Sequence, residues 1–386
     1  MSEYQYYEFV AIDRPLTRDD IAELRSRSSR AEITATSFIN EYNWGDLKAD
    51  PADWMRRYFD AFVYTASWCS CQLSLRLPHE AFEKAGLERV ATGHALSIED
   101  SGTHWIINWS LDESPDYDRF GMETGQGWMG RLVPLRDELL RGDARPLYLG
   151  WLAGVSAGEV DDNAAEPDVP PGMSQLSAAQ QALVEFLEID PDLVAAAAAG
   201  SQEIEAYRDD DDSAEVWVAE LRRNEIETVF KLLLQGASQQ AERRVKSAFF
   251  AWLKESGSRE SSPGKPRTVA ELRTLAGGAE KRRLDREEKE RARQEAEHRE
   301  QREAYLLTLA ANVDRHWSAI HDHAERGTAS AYESATRALT DLADAYVLAS
   351  NRDAFDEALR DFMVCHGRRG ALVRRLVDAG LWKKGV

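Results

Sequence analysis

The spacing of apolar and polar positions changes at about residue 155 of this 386-residue chain. Before it, short runs rich in aromatic and β-branched residues alternate with helical spacings. "YQYYEFVAI" (4–12), "EITATSFINEYNW" (32–44) and "CQLSLRLP" (71–78) predict buried strands. "HALSIEDSGTHWIINWSL" predicts a hairpin turning at Glu99-Asp100-Ser101-Gly102. Between these runs, Thr17 is placed to cap a helix carrying Ile21 and Leu24. Asp50 and Pro51 open another over 50–67, with Trp54, Tyr58, Ala61 and Phe62 at helical spacing. A short helix stops at Gly86, and residues 127–154 read as helical with a break near Gly142. The alternation predicts an α/β domain over 1–155. Its mixed sheet would hold parallel pairs made through right-handed crossovers, an antiparallel hairpin at the edge, and helices on its face.

After residue 155 the pattern is helical throughout, which predicts an all-α C-terminal region. Residues 156–175, rich in Pro, Gly and acid, read as an acidic linker, and 176–255 as a helical domain. In that domain Ser177 with Gln180 forms a capping box, Asp190-Pro191 opens a helix that Gly200 ends, and a helical hairpin turns at Gly236. A second linker covers 256–268, a long charged helix 269–325 with Thr268 and Glu271 as its capping box, and helical hairpins 326–386. Between Lys281 and Glu303 stand nine basic and eight acidic side chains. That balance argues against a nucleic-acid arm. Leu284, Ala292 and Ala296 do not form a coiled-coil seam. Acid-to-base pairs four residues apart, such as Asp285–Lys289, Glu287–Arg291 and Glu295–Arg299, would hold a coiled-coil-like solvated helix together. Such a helix is expected to act as a strut.

Charge adds one feature to this picture. The net charge of -20 is uneven: -9 over 1–155, -15 over 156–215 and +4 over 216–386. Acidity of that size opposes general affinity for nucleic acid or anionic lipid. The first residues form neither a basic nor an apolar leader segment, no run of about 18 apolar residues occurs, and only Cys69, Cys71 and Cys365 are present. A cytoplasmic setting is the expectation.

Candidate chemistry is thin. Cys69-Ser-Cys71 with Cys365-His366, and His316, His321 and His323, do not have the geometry of a single metal site. "DDDDSAEVWVAE" (209–220) partly matches a calcium loop but has Ala214 where the turn needs glycine. No phosphate-binding glycine loop, nucleophile elbow or zinc-protease motif is present, so no cofactor, metal or catalytic residue is assigned. The aromatic density of residues 1–68 is the strongest feature, and with nearby arginines it supplies the residue types of binding hot spots. Tyr6, Tyr7, Arg14, Arg30, Tyr42, Trp44 and Asp46 form the candidate binding surface.

"YQYYEFVAIDRPLT", "RAEITATSFINEYNWGDLKADP" and "RYFDAFVYTASW" resemble the opening of an uncharacterised family of bacterial proteins. The resemblance continues in "LSAAQQALVEFLEIDPDLVAAAA", the charged helix and "HGRRGALVRRLVDAGL". It implies a bacterial multi-component system, with a zinc-finger protein of the SWIM type, encoded nearby, as partner; it implies no activity and no catalytic residues. The expectation is therefore a non-enzymatic protein–protein interaction or scaffold protein. One alternative is an enzyme whose N-terminal pocket brings Glu41, Asp46, Arg30 or Lys48 onto a small molecule or nucleotide. Another is a nucleic-acid-associated subunit acting through the C-terminal helices.

Overall fold

The structure, a computed structural model, describes residues 4–112, 125–202, 211–236 and 266–383, with scattered positions from 241 to 252. The chain divides into two compact units, Met1–Lys281 and Arg282–Val386.

Unit 1 is built on a seven-stranded sheet followed by helices, so the α/β-then-helical class holds. The strands are β1 (Gln5–Val10), β2 (Glu32–Ile33), β3 (Ser37–Tyr42), β4 (Ala61–Ala66), β5 (Cys71–Pro78), β6 (Leu96–Asp100) and β7 (His104–Leu111), in the order β2-β3-β1-β4-β5-β7-β6. Every described pairing is antiparallel, and the expected parallel crossovers are not there. The reason is β4. The helix expected over 50–67 ends early, as α2 (Pro51–Arg57), and "AFVYTA" forms a strand instead. That strand pairs with both β1 and β5, so neighbours that would have needed crossovers are joined antiparallel. The other early helix, α1 (Arg18–Arg27), starts at Thr17 in a capping box with Asp20.

Strict alternation gives the sheet two different faces. On one, Phe9, Phe38 and Phe62 pack with Trp54, Met55 and Phe59 beside α1 and α2. On the other, Val63, Leu73, Leu75, Ile107 and Trp109 lie under α3 (Lys84–Val90), α4 (Trp128–Leu132), α5 (Pro134–Leu140), α6 (Arg145–Ser156), α7 (Ala178–Phe186) and α8 (Pro191–Gly200). Ten consecutive residues of α6, Pro146 to Val155, are buried. Glycine lets that helix approach the sheet: a β-carbon on Gly150 would lie 2.7 Å from the Trp109 ring, and one on Gly154 2.5 Å from Thr92. The Trp109 indole N–H donates to the Pro146 carbonyl at 3.0 Å. Gly150→Ala is therefore expected to push α6 off Trp109 and cost about 1–3 kcal/mol. Urea unfolding followed by fluorescence measures that cost.

Residues 156–175, expected as a linker, pack within unit 1. Ala165 bridges Thr268, the Glu166 amide donates to the Arg267 carbonyl, and Glu166 itself is buried. The helices α9 (Asp211–Glu220) and α10 (Arg223–Leu234) follow; α10 leaves Ile226, Phe230, Leu233 and Leu234 exposed. Positions 211–220 of the possible calcium loop are thus helical, while Asp209 and Asp210 fall outside the described residues, as does most of the linker expected over 256–268.

The charged stretch lies in α11 (Val269–Ala310), one helix of 42 residues that begins in unit 1. Its ion pairs include Arg283–Glu287 and Glu290–Arg293. Unit 2 adds α12 (Val313–Arg326), α13 (Ala329–Leu348), α14 (Arg352–His366) and α15 (Gly370–Asp378), packed around Ile320, Leu339, Leu342, Phe355, Phe362 and Leu372. Among the described residues, no helix is long and apolar enough to cross a membrane.

Candidate functional site: an exposed tryptophan turn held by a tyrosine network

Strand alternation separates the N-terminal tyrosines. Tyr6 faces the helix-covered side, where its hydroxyl donates to Glu8 Oε2 at 2.8 Å and its ring is buried. Burial, and then the hydrogen bond to Glu8, raise the Tyr6 phenol far above its ordinary range. Tyr7 points to the opposite face with Gln5. There its ring meets Tyr42 edge-on at 5.7 Å and Tyr64 at 4.9 Å.

These side chains secure the loop after β3. The Tyr7 hydroxyl lies 2.6 Å from Asp46 Oδ1 and 2.8 Å from Gln5 Oε1. Because Tyr64 also reaches Gln5 Oε1, at 2.9 Å, the consistent arrangement has Tyr7 donating to the Asp46 carboxylate and Tyr64 to the Gln5 amide oxygen. Gln5 Nε2 then donates to the Gly45 carbonyl at 2.8 Å, and the Leu47 amide to Asp46 Oδ1 at 2.7 Å. Gly45 sits at φ +118°, which a residue with a β-carbon adopts only under strain. Burial is the largest reason the Tyr7 and Tyr64 phenols stay protonated, followed by Asp46, so both act as donors across the physiological range.

Trp44 stands on this secured turn with 73% of its surface exposed. A second exposed ring lies at the same end of the sheet. Gln5 pairs with Tyr42 on one side and Ala66 on the other, so the β3–α2 loop and the β4–β5 turn flank the start of β1. Two inter-strand spacings set their backbones about 10 Å apart. Trp68, 39% exposed, is carried by the second turn. Its neighbour Cys69 has φ +69°, an uncommon conformation for a side chain of that kind, which the Cys69 N–H to Ala66 carbonyl bond helps to hold.

Of the seven candidate residues, the structure brings together Tyr7, Tyr42 and Asp46, with Trp44 on the loop they hold. Tyr6 belongs to the other face. Arg14, beyond the far end of β1, donates to the Arg57 carbonyl at 2.8 Å, and Arg30 is exposed in the turn before β2. Gln5 and Tyr64, which close the network, and Trp68 lie outside that set of seven, although both aromatic residues belong to the ring-rich stretch 1–68. Once β4 is recognised, its pairing with β1 places Tyr64 opposite Tyr7. The acids proposed for a pocket do not converge: Glu41 lies opposite Tyr6, whereas Asp46 bonds Tyr7 on the other face. Cys69 and Cys71 are buried thiols and Cys365 is exposed. Among the described residues, no three potential ligands are grouped to hold a metal.

No protein-family model matches the chain, and no curated protein or solved structure is significantly similar to it.

Proposed function

We propose that this chain is a non-enzymatic interaction or scaffold protein that grips a partner protein with the Trp44–Trp68 end of its sheet. The observation that carries the reading is Trp44: a large ring, 73% exposed, on a turn fixed by hydrogen bonds from side chains of β1. An exposed tryptophan forfeits burial in the free protein. Holding it rigidly lowers the ordering cost when a partner covers it. Rigid aromatic anchors of this kind dominate interface energies. The neighbouring Glu41 and Asp46 are exposed acids, so the complementary partner segment carries Lys or Arg that can sit over the indole faces. The family resemblance implies a first partner to try, a zinc-finger protein of the SWIM type.

The test is direct binding between the full chain and that protein, by calorimetry, with Trp44→Ala beside the native sequence. The variant should weaken binding about 30-fold or more, the equivalent of about 2 kcal/mol at a hot spot. Its unfolding midpoint should not move, because an exposed side chain contributes little to stability. Where that protein does not bind, cross-linking in native lysate replaces it. Recovery of the same partners by both chains would remove the site from consideration.

A further inference from the structure

Unit 2 contains a pair of histidines that nothing above uses. His321 Nδ1 on α12 and His366 Nε2 on α14 are 2.9 Å apart. His366 is 4% exposed, and its Nδ1 is buried with no hydrogen-bond partner among the described residues. The Phe362 ring meets His321 edge-on, with centroids 5.0 Å apart, and lies tilted against His366 at 4.6 Å. The charged groups acting on His366 are Glu325 on α12 and Arg369 at the start of α15, the latter bonded through Nη1 to the Glu325 carbonyl.

A contact of 2.9 Å between two ring nitrogens requires that one donate and the other accept. Neutral imidazoles meet that condition. A single added proton also can, but only with both outer nitrogens, His366 Nδ1 among them, protonated. A second proton cannot, since two N–H groups would then face each other beside Phe362, with the Arg369 guanidinium nearby. That outer site, His366 Nδ1, is enclosed and offers a new N–H no acceptor among the described residues.

We propose that the His321–His366 contact is a proton-operated latch, which holds α14 against α12 while the pair is neutral and lets go as the pair takes up protons. The expected pH sense follows from linkage. Burial, then His321 and Arg369, hold the His366 ring below the ordinary imidazole range, against a smaller opposing pull from Glu325. The released state therefore binds a proton that the docked state refuses. Docking is fully stable above the ordinary imidazole value near 6.5 and weakens as pH falls from there towards the lowered docked value. Each net proton taken up on release can shift the equilibrium by up to about tenfold per pH unit.

Hydrogen exchange on the full chain at pH 7.5 and 5.5, corrected for intrinsic rates, reads this out. The segment Arg352–His366 should lose up to about tenfold of its protection at the lower pH. Strands β1 and β5 of unit 1 serve as an internal reference that keeps its protection. His366→Phe should abolish the difference, since phenylalanine fills the site and takes no proton. His366→Gln gives the same readout with a neutral hydrogen-bonding side chain, should the first variant fail to fold. Equal protection of α14 at both pH values in the native chain would overturn the latch. So would the same acid-induced loss in whichever variant folds.

Discussion

Replacing Arg76 with leucine is expected to lower the unfolding free energy of unit 1 by about 3–5 kcal/mol, because it strands a buried carboxylate. Asp60, fully buried, accepts from Arg76 Nε and Nη2 at 3.1 and 2.6 Å and from the Ile12 and Asp13 amides at 2.7 and 2.8 Å. The remaining Arg76 N–H groups reach the carbonyls of Met55 and Arg56. Arg136, 2% exposed, donates to the Arg76 carbonyl and to Asp13 Oδ2. One network thus joins the exit of β1, the end of α2, β4, β5 and α5. Burial alone would raise the Asp60 carboxyl, but Arg76, the Asp13 amide and Arg136 together hold it below the usual range. Its contribution is therefore present above the unfolded value near 4 and is lost as pH falls through the lower folded value. Without Arg76 the main opposing charge is gone, and acid unfolding should begin at higher pH. Urea denaturation at pH 7, with acid titration of the same variant, measures both effects. Adding Asp60→Asn to Arg76→Leu should recover part of the loss, because the uncompensated charge is removed. A loss below about 1 kcal/mol would mean the pair is solvated in solution and contributes as a surface pair does.

That network also shows why the sheet was only partly legible. Trp54, Tyr58, Ala61 and Phe62 lie on one helical face, and the spacing holds only as far as Tyr58; the chain then turns through Phe59 and Asp60 into β4. What ends the helix is tertiary. Arg76, sixteen residues later, takes the last carbonyls of α2 and the Asp60 carboxylate together, and no local rule anticipates that partner. Helix caps, which are decided within three or four residues, were legible. Thr17–Asp20, Asp50–Pro51, Ser177–Gln180 and Thr268–Glu271 all cap where expected. Helices α13 and α14 fall in the stretch 326–386 expected as helical hairpins. At the candidate site the same distinction applies. Aromatic density drew attention to Tyr7, Tyr42 and Trp44, but which tyrosine shares a face with Asp46 depends on register, and register needs β4. The His321–His366 contact joins positions 45 apart on two helices, and no spacing within one helix signals it.

Arg267→Leu is the second substitution expected to cost about 3–5 kcal/mol, and it tests how the long helix is rooted. Glu166 lies in the acidic segment once read as a linker, and its side chain is 3% exposed. Arg267 meets it in a two-pronged contact, Nε to Oε2 at 2.6 Å and Nη2 to Oε1 at 2.8 Å, and donates from Nη1 to the Ala196 carbonyl. The Tyr148 hydroxyl donates to the same carboxylate at 2.5 Å, and burial followed by Glu166 keeps that phenol protonated. Gly200 makes room for the guanidinium, since a β-carbon there would come 2.7 Å from Nη2. Around this contact, Val269 and Ala270 donate backbone bonds to Ala164 and Asp162, and Arg273 pairs with Asp162 at 3.1 Å. The first turns of α11 are thus fixed to unit 1 by residues 162–166. Leucine at 267 would leave Glu166 buried against Tyr148 with no cation. The carboxylate must then take a proton or draw in water, and either response loosens the bridge between Ala165 and Thr268. Hydrogen exchange should show protection lost over Val269–Ala279 while β1 and β4 keep theirs. Glu166→Gln in the same background should return part of it, because an amide can still accept from Tyr148 without an unpaired charge. Equal protection over Val269–Ala279 in native and Arg267→Leu chains would show that the backbone bonds alone hold the helix, and that Glu166 is charge-compensated by water.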